Sequence, residues 1–135
     1  PLNLMPDLSY PTITVRTEVS GYAPEEVESQ ISRRIEEAFE LIKKAVRLQP
    51  TSGYFADSLG WAYFRQDNFA SAVLWLEKAI QLAPTDPVIA DHLGDAYWKV
   101  GRFLEARYKW RQALDMGIED KYATIIAEKI ADGLE

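Results

Sequence analysis

Three residues in the second half of the chain carry side chains that could do chemistry, namely Asp91, His92 and Asp95. A histidine beside a carboxylate can act as a general base, and two carboxylates spaced i, i+4 on a helix can contact a divalent cation. No serine or cysteine nucleophile motif accompanies them, and two carboxylates alone make a poor metal site. We therefore expect a hydrogen-bonded packing histidine and a solvated acidic face, in a protein that is not an enzyme and holds no metal or cofactor.

The composition of the chain narrows its possible functions further. The 135 residues include no cysteine and one histidine, which excludes disulfides, thiolate metal sites, cysteine nucleophiles and multi-histidine sites. The net charge of −6 argues against nucleic acid, which binds basic faces. The sequence shows no apolar run of about 18 residues and no secretory signal pattern, so we expect a soluble cytoplasmic protein without membrane insertion.

An internal repeat with a period of 34 residues is the strongest pattern, since residues 53–86 align with residues 87–120. The aligned pairs include Leu59 and Leu93, Gly60 and Gly94, Ala62 and Ala96, Tyr63 and Tyr97, and Phe69 and Phe103. Periods of this length are typical of stacked helix pairs. Gly60 and Gly94 fall inside predicted helices, where glycine costs about 1 kcal/mol, so we expect a neighbouring helix to pack closely against each of them.

The spacing Leu-Gly-x-x-Tyr, followed by alanine and bulky apolar positions in the second half of each unit, resembles the tetratricopeptide repeat (TPR). The resemblance implies an all-α, antiparallel helix-hairpin array over residues 39–135, with two full repeats, a preceding half repeat and a C-terminal cap helix. We expect helices over about 24–48, 53–66, 69–82, 87–100, 103–116 and 120–132. Ile118 stands where the first repeat has Pro84, which indicates that the array is ending.

In this family the first helix of each repeat lines a concave groove, and the matching positions here are Tyr54, Asp57, Trp61, Phe64, Arg65, Val88, Asp91, Asp95, Trp98 and Lys99. Their mixture of acidic and aromatic side chains suits a peptide or helix that carries lysine or arginine beside an apolar anchor. The Lys and Asn with which some co-chaperone members grip a terminal carboxylate are absent, so chaperone tails are not expected ligands. The alternative is that Trp61 and Trp98 only cover the long N-terminal helix or the cap helix.

The first 38 residues do not follow the repeat. Residues 12–19 alternate and are rich in β-branched residues, which predicts a strand, and Pro24 then opens a helix that continues to Leu48. Residues 1–18 (PLNLMPDLSYPTITVRTE), 21–28 (GYAPEEVE) and 31–38 resemble the start of the periplasmic porter region of resistance-nodulation-division efflux permeases. Ser20 and Arg34 stand where that family carries proline, and transport is not implied because such permeases need transmembrane helices.

Two families that meet within one helix predict a fusion at about residue 38, natural or engineered. The alternative is an accidental likeness, with residues 1–24 as a floppy leader. A lone strand exposes unpaired backbone groups. We therefore expect residues 12–19 either to pair with a second copy, in a homodimer that also uses residues 24–48, or to stay disordered. Both resemblances suggest bacteria, and the second suggests a periplasmic or membrane-associated parent protein.

These patterns leave three functions open. The first is a non-catalytic protein–protein interaction scaffold that binds a peptide or helix in its concave groove. The second is a chimeric, self-associating protein with no evolved ligand, which dimerises through the N-terminal strand and helix. The third is a porter fragment that binds permease subunits.

Overall fold

Six α-helices joined by short turns make up residues 23–135, the part of the chain that the computed structural model describes. They are α1 (Pro24–Leu48), α2 (Gly53–Arg65), α3 (Phe69–Leu82), α4 (Pro87–Lys99), α5 (Phe103–Asp115) and α6 (Asp120–Asp132). Helices α2 and α3 form one hairpin and α4 and α5 form the second, with α1 packed before the first and α6 after the second. The expected all-α hairpin array is confirmed for these residues. The expected strand at residues 12–19 lies outside them.

Side-chain caps and left-handed turn residues determine where the helices begin and end. Ser52, Asn68 and Asp86 accept hydrogen bonds from backbone N–H groups in the first turns of α2, α3 and α4, at distances between 2.9 and 3.3 Å. Such caps satisfy donors that have no partner within the helix. The turns inside the two hairpins pass through Asp67 (φ 60°) and Gly101 (φ 85°). These residues occupy the same position of the repeat, so both hairpins reverse the chain in the same way.

Close contact at Gly60 and Gly94 holds each hairpin together. A Cβ atom on Gly60 would lie 2.7 Å from Cγ of Leu76, and one on Gly94 would lie 2.4 Å from Nε1 of Trp110. Both partners are fully buried. The missing side chains thus allow α2 to approach α3, and α4 to approach α5, closely enough for Leu76 and Trp110 to fill the space between them. The expected packing role of the two glycines is confirmed.

Different helices cover the two ends of the array. At the front, the C-terminal half of α1 packs Ile42 and Val46 against Leu59 of α2, in the place of the second helix of a preceding repeat. At the back, α6 buries Ile126 in the cluster that contains Trp110. Helix α1 is much longer than its partner, with 25 residues against 13 in α2, so its N-terminal half extends beyond this contact.

We predict that Gly94→Ala destabilises the protein by about 1–3 kcal/mol. The added methyl group would overlap the Trp110 ring, which is fully buried and hydrogen-bonded, and overpacking of this kind outweighs the gain of about 1 kcal/mol that alanine brings to a helix. Urea unfolding followed by circular dichroism measures the change.

Glu128 supplies a matched control, because it occupies the same repeat position on α6 and is exposed. Glu128→Ala should change the free energy of unfolding by less than about 0.5 kcal/mol. A Gly94→Ala protein as stable as the unsubstituted one would show that α4 and α5 do not meet at this residue.

Candidate functional site

The first helices of the repeats, α2 and α4, and the cap helix α6 are linked by two polar bridges. His92 of α4 donates from Nδ1 to Oδ1 of Asp57 on α2 at 2.8 Å. Lys129 of α6 donates from Nζ to Asp91 at 2.5 Å and to Asp95 at 2.8 Å, both on α4. These five side chains define one surface that runs across the three helices, which we call the first-helix face.

Asp57 and His92 form the first bridge, and both are largely shielded from water, with side chains 12% and 20% exposed. Burial lowers the pKa of His92, but the negative charges of Asp57, Asp91 and Asp95 and the hydrogen bond to Asp57 outweigh it, so that its pKa is raised above the ordinary value of 6.5. The histidine is a hydrogen-bonded packing residue, as the sequence indicated, and it holds α4 against α2.

Lys129 forms the second bridge, in which one ammonium group serves two carboxylates. Burial lowers the pKa of Lys129, yet Asp95 and Asp91 raise it above its usual value, so the amine stays charged. Burial and the neighbouring Asp91 raise the pKa of Asp95. The charge of Lys129 and its hydrogen bond oppose this rise in pKa. Asp95 also accepts a hydrogen bond from Nε1 of Trp110 at 2.9 Å. The ammonium group occupies the place between two carboxylates that a metal ion would need.

The sequence indicated the three aspartates but not their partners. Asp57, Asp91 and Asp95 were expected to face a ligand, but the structure pairs Asp57 with His92 of α4. It pairs Asp91 and Asp95 with Lys129 of α6, so the expectation of a solvated acidic face at these two residues was wrong. One signal was present in the sequence, since Trp61, Asp95 and Lys129 follow one another at intervals of 34 residues. The same repeat position therefore places a cation on α6 beside a carboxylate on α4.

Trp61 and Phe64 extend the first-helix face as a stack of aromatic rings. The Trp61 ring lies 4.5 Å from Phe64 and 4.1 Å from His92, nearly parallel to both. Phe64 in turn meets Phe69 edge to face at 5.2 Å. Offset and edge-to-face arrangements of this kind stabilise ring pairs. Trp61 and Phe64 are half-buried, so part of each residue remains exposed.

Trp98 occupies the same position in the second repeat as Phe64 in the first, but residues of the same chain cover it. Its Nε1 donates to the backbone oxygen of Leu134 at 2.9 Å, and the backbone of Gly133 lies so close that a Cβ there would be 2.1 Å from the indole ring. Lys99 donates to the backbone oxygen of Glu135. Trp98 thus packs against the segment that follows the cap helix.

Exposed apolar side chains lie beside the polar bridges. Tyr54 and Val88 are 47% and 41% exposed, and Tyr122 and Ile125 of α6 are 39% and 52% exposed. Each precedes a bridging residue by three, four or seven positions, which places it on the same face of its helix. Tyr122 and Ile125 were not among the expected groove residues, because α6 was read as a cap rather than as a further first helix.

Within residues 23–135, no group of three or more potential ligands is arranged to hold a metal ion. The described helices also include none that is long and apolar enough to cross a bilayer.

We predict that the stability contributed by His92 declines as the pH rises. Because the folded-state pKa is raised, the contribution is fully present below about pH 6.5, the unfolded value, and is lost as the pH rises through the folded value. The thermal midpoint of the protein, minus that of His92→Gln, should therefore fall between pH 6 and pH 9. A difference that stays flat or grows over this range would contradict the bridge.

Solved structures show what this fold resembles. The first TPR of Spaghetti (RPAP3) bound to HSP90 peptide SRMEEVD is 19% identical, with a TM-score of 0.63, and the match covers 75% of this chain and 83% of that one. The N-terminal domain of stress-induced protein-1 (STI-1) from C. elegans is 22% identical, with a TM-score of 0.57 and coverage of 69% and 79%. The CopN–Scc3 complex gives 14% identity, a TM-score of 0.60 and coverage of 90% and 86%. The fold is therefore that of TPR proteins.

Comparison at the level of sequence gives a different kind of match. No curated protein matches the chain, but the model of the AcrB/AcrD/AcrF family matches residues 1–87, which is 87 of 135 residues. That match includes the N-terminal segment with the permease resemblance and reaches the start of α4. Because it spans well over half of the sequence, the chain belongs to the AcrB/AcrD/AcrF family, while its described helices carry a TPR fold.

Proposed function

We propose that this protein is a non-catalytic protein-interaction module that binds a peptide or helix on the first-helix face. The observation that carries this proposal is the exposed apolar row of Tyr54, Val88, Tyr122 and Ile125, which runs across α2, α4 and α6. Exposed apolar side chains grouped on one surface are typical of binding sites. The Spaghetti TPR domain, similar in fold, is bound to a peptide, which supports the same class of function here.

The ion pairs on the first-helix face limit which charged side chains a ligand could place there. A basic ligand side chain was expected from Asp57, Asp91 and Asp95, but these carboxylates are already paired with His92 or Lys129. A ligand cation would have to displace one of those partners and leave it buried without a counter-charge, which is costly. We therefore place most of the binding free energy on apolar contact with the exposed row and with the edge of the Trp61 ring.

Selection from a library of displayed 12-residue peptides tests this proposal. The affinity of the selected peptides is then measured by fluorescence anisotropy of labelled copies. Val88→Glu puts a charge in the middle of the apolar row and should weaken the selected peptides at least tenfold, a loss typical of a central contact residue. Val88 is 41% exposed, so its replacement should leave the fold intact.

Leu104→Glu is the matched control, because Leu104 is 84% exposed on α5, a second helix that contributes no residue to the row. Its affinity for the same peptides should stay within about twofold of the unsubstituted protein. Peptides that bind equally to the Val88→Glu protein, or a selection that enriches none, would refute the proposal.

Self-association through the N-terminal segment is a second candidate, and the length of α1 favours it. Val27, Ile31 and Ile35 form an apolar stripe at helical spacing on the half of α1 that extends beyond α2, and each is only half-buried. A second copy of this helix would cover the stripe.

Light scattering after size exclusion should give a dimer. Ile31→Glu should dissociate this dimer, whereas Ser32→Glu, on an exposed position of the same turn, should not. A strict monomer at every concentration would eliminate this candidate.

A further inference from the structure

A cavity of about 190 Å³ opens where the end of α2 meets the end of α4. Phe64, Arg65, Asp67, Phe69 and Lys99 line it. These residues come from the last turn of α2, the turn of the first hairpin, the start of α3 and the last turn of α4. None of the five lining residues belongs to the two polar bridges, and Lys99 also donates to the backbone oxygen of Glu135.

The lining combines two cations with two aromatic rings. Arg65 is exposed and forms no ion pair among residues 23–135, and Nζ of Lys99 lies 5.7 Å from the centre of the Phe69 ring. Asp67 is the sole acid in the lining, which leaves a formal charge of +1. An anionic group next to an apolar group matches this surface, whereas a cation would meet two like charges.

The second repeat shows how this end of a first helix binds an extended chain. Trp98 and Lys99 occupy the repeat positions of Phe64 and Arg65, and they donate hydrogen bonds to the backbone oxygens of Leu134 and Glu135. The backbone of Gly133 lies against the Trp98 ring. An aromatic ring followed by a cation thus contacts the backbone of a short Gly-Leu-Glu segment, and the corresponding pair of the first repeat, Phe64 and Arg65, lines the cavity.

We propose that the cavity binds a peptide segment in which a glutamate or aspartate adjoins an apolar residue. The carboxylate side chain lies between Arg65 and Lys99, and the apolar side chain packs on Phe64 and Phe69. The inference rests on the proposed peptide-binding function and adds an acidic feature to the ligand. It differs from the grip on a terminal carboxylate by Lys and Asn within the groove, because the cations here stand at the last turns of the first helices and an internal acidic side chain suffices.

Chemical-shift titration of the ¹⁵N-labelled full chain with acetyl-Gly-Leu-Glu-amide tests the proposal, and acetyl-Gly-Leu-Gln-amide is the matched neutral probe. The glutamate peptide should shift the amide signals of Phe64, Arg65, Phe69 and Lys99 saturably at millimolar concentration. The glutamine peptide should bind about fivefold more weakly, as expected for the loss of a partly exposed ion pair.

Variants separate the cavity from general electrostatics. Arg65→Gln should reduce affinity for the glutamate peptide about fivefold, and Asp67→Asn, which keeps a residue that tolerates positive φ, should increase it about two- to threefold. Arg111 is an exposed cation on α5 outside the cavity, so Arg111→Gln should leave affinity unchanged. The signals of the helices distant from the cavity confirm that each variant is folded.

Three results would overturn the inference. The first is equal binding of the two peptides at the cavity, which would leave the proposed peptide-binding function intact. The second is shifts confined to Gly133 and the Trp98 indole, because they would mean that the peptide only displaces the chain's own segment. The third is the absence of shifts with either peptide. In that case the display selection against the apolar row still decides the proposed function independently.

Discussion

The hydrogen bond from Trp110 to Asp95 joins the core of the array to the first-helix face. The indole ring fills the space over Gly94 between α4 and α5, and its Nε1 fixes the carboxylate to which Lys129 of α6 binds. The same side chain therefore determines how closely the second hairpin packs and where the cap helix attaches. A buried polar group of this kind must be fully paired, and no buried side-chain nitrogen or oxygen among residues 23–135 is without a partner.

The repeat keeps its packing positions and varies its surface positions. Gly60 and Gly94 serve the same purpose in both hairpins because two helices can approach this closely only at a residue without a side chain. At the ninth repeat position, by contrast, Trp61, Asp95 and Lys129 follow one another. One position thus supplies an aromatic ring, an anion and a cation to the same face. The first-helix face is consequently aromatic toward α2 and ionic toward α6.

Most of the fold could be predicted from the sequence because its signals are local and repeated. The glycines, the alanines and the proline that opens α4 act within one hairpin, so spacing alone identifies them. The state of the candidate site depends on contacts between residues 34 to 38 positions apart, such as His92 with Asp57 and Lys129 with Asp91. Repeat spacing indicates which helices adjoin, but it does not show that an aspartate is already paired or that residues 133–135 cover Trp98.

The sequence match to the AcrB/AcrD/AcrF family and the structural similarity to TPR proteins overlap in the first hairpin. The AcrB/AcrD/AcrF match reaches residue 87 and therefore includes α2 and α3, which have the TPR fold in the structure. The junction expected at about residue 38 lies inside α1, an uninterrupted helix of 25 residues, and it stays a prediction. Residues 39–87 thus carry both the family match and the packing described above.

The contact between Gly94 and Trp110 is the most direct test of this account, since both the stacking of the hairpins and the order of the first-helix face depend on it. Nuclear Overhauser spectra should show strong cross-peaks between the α protons of Gly94 and the indole ring of Trp110, together with slow exchange of the indole N–H. Absence of these cross-peaks, with rapid exchange of that proton, would contradict the account.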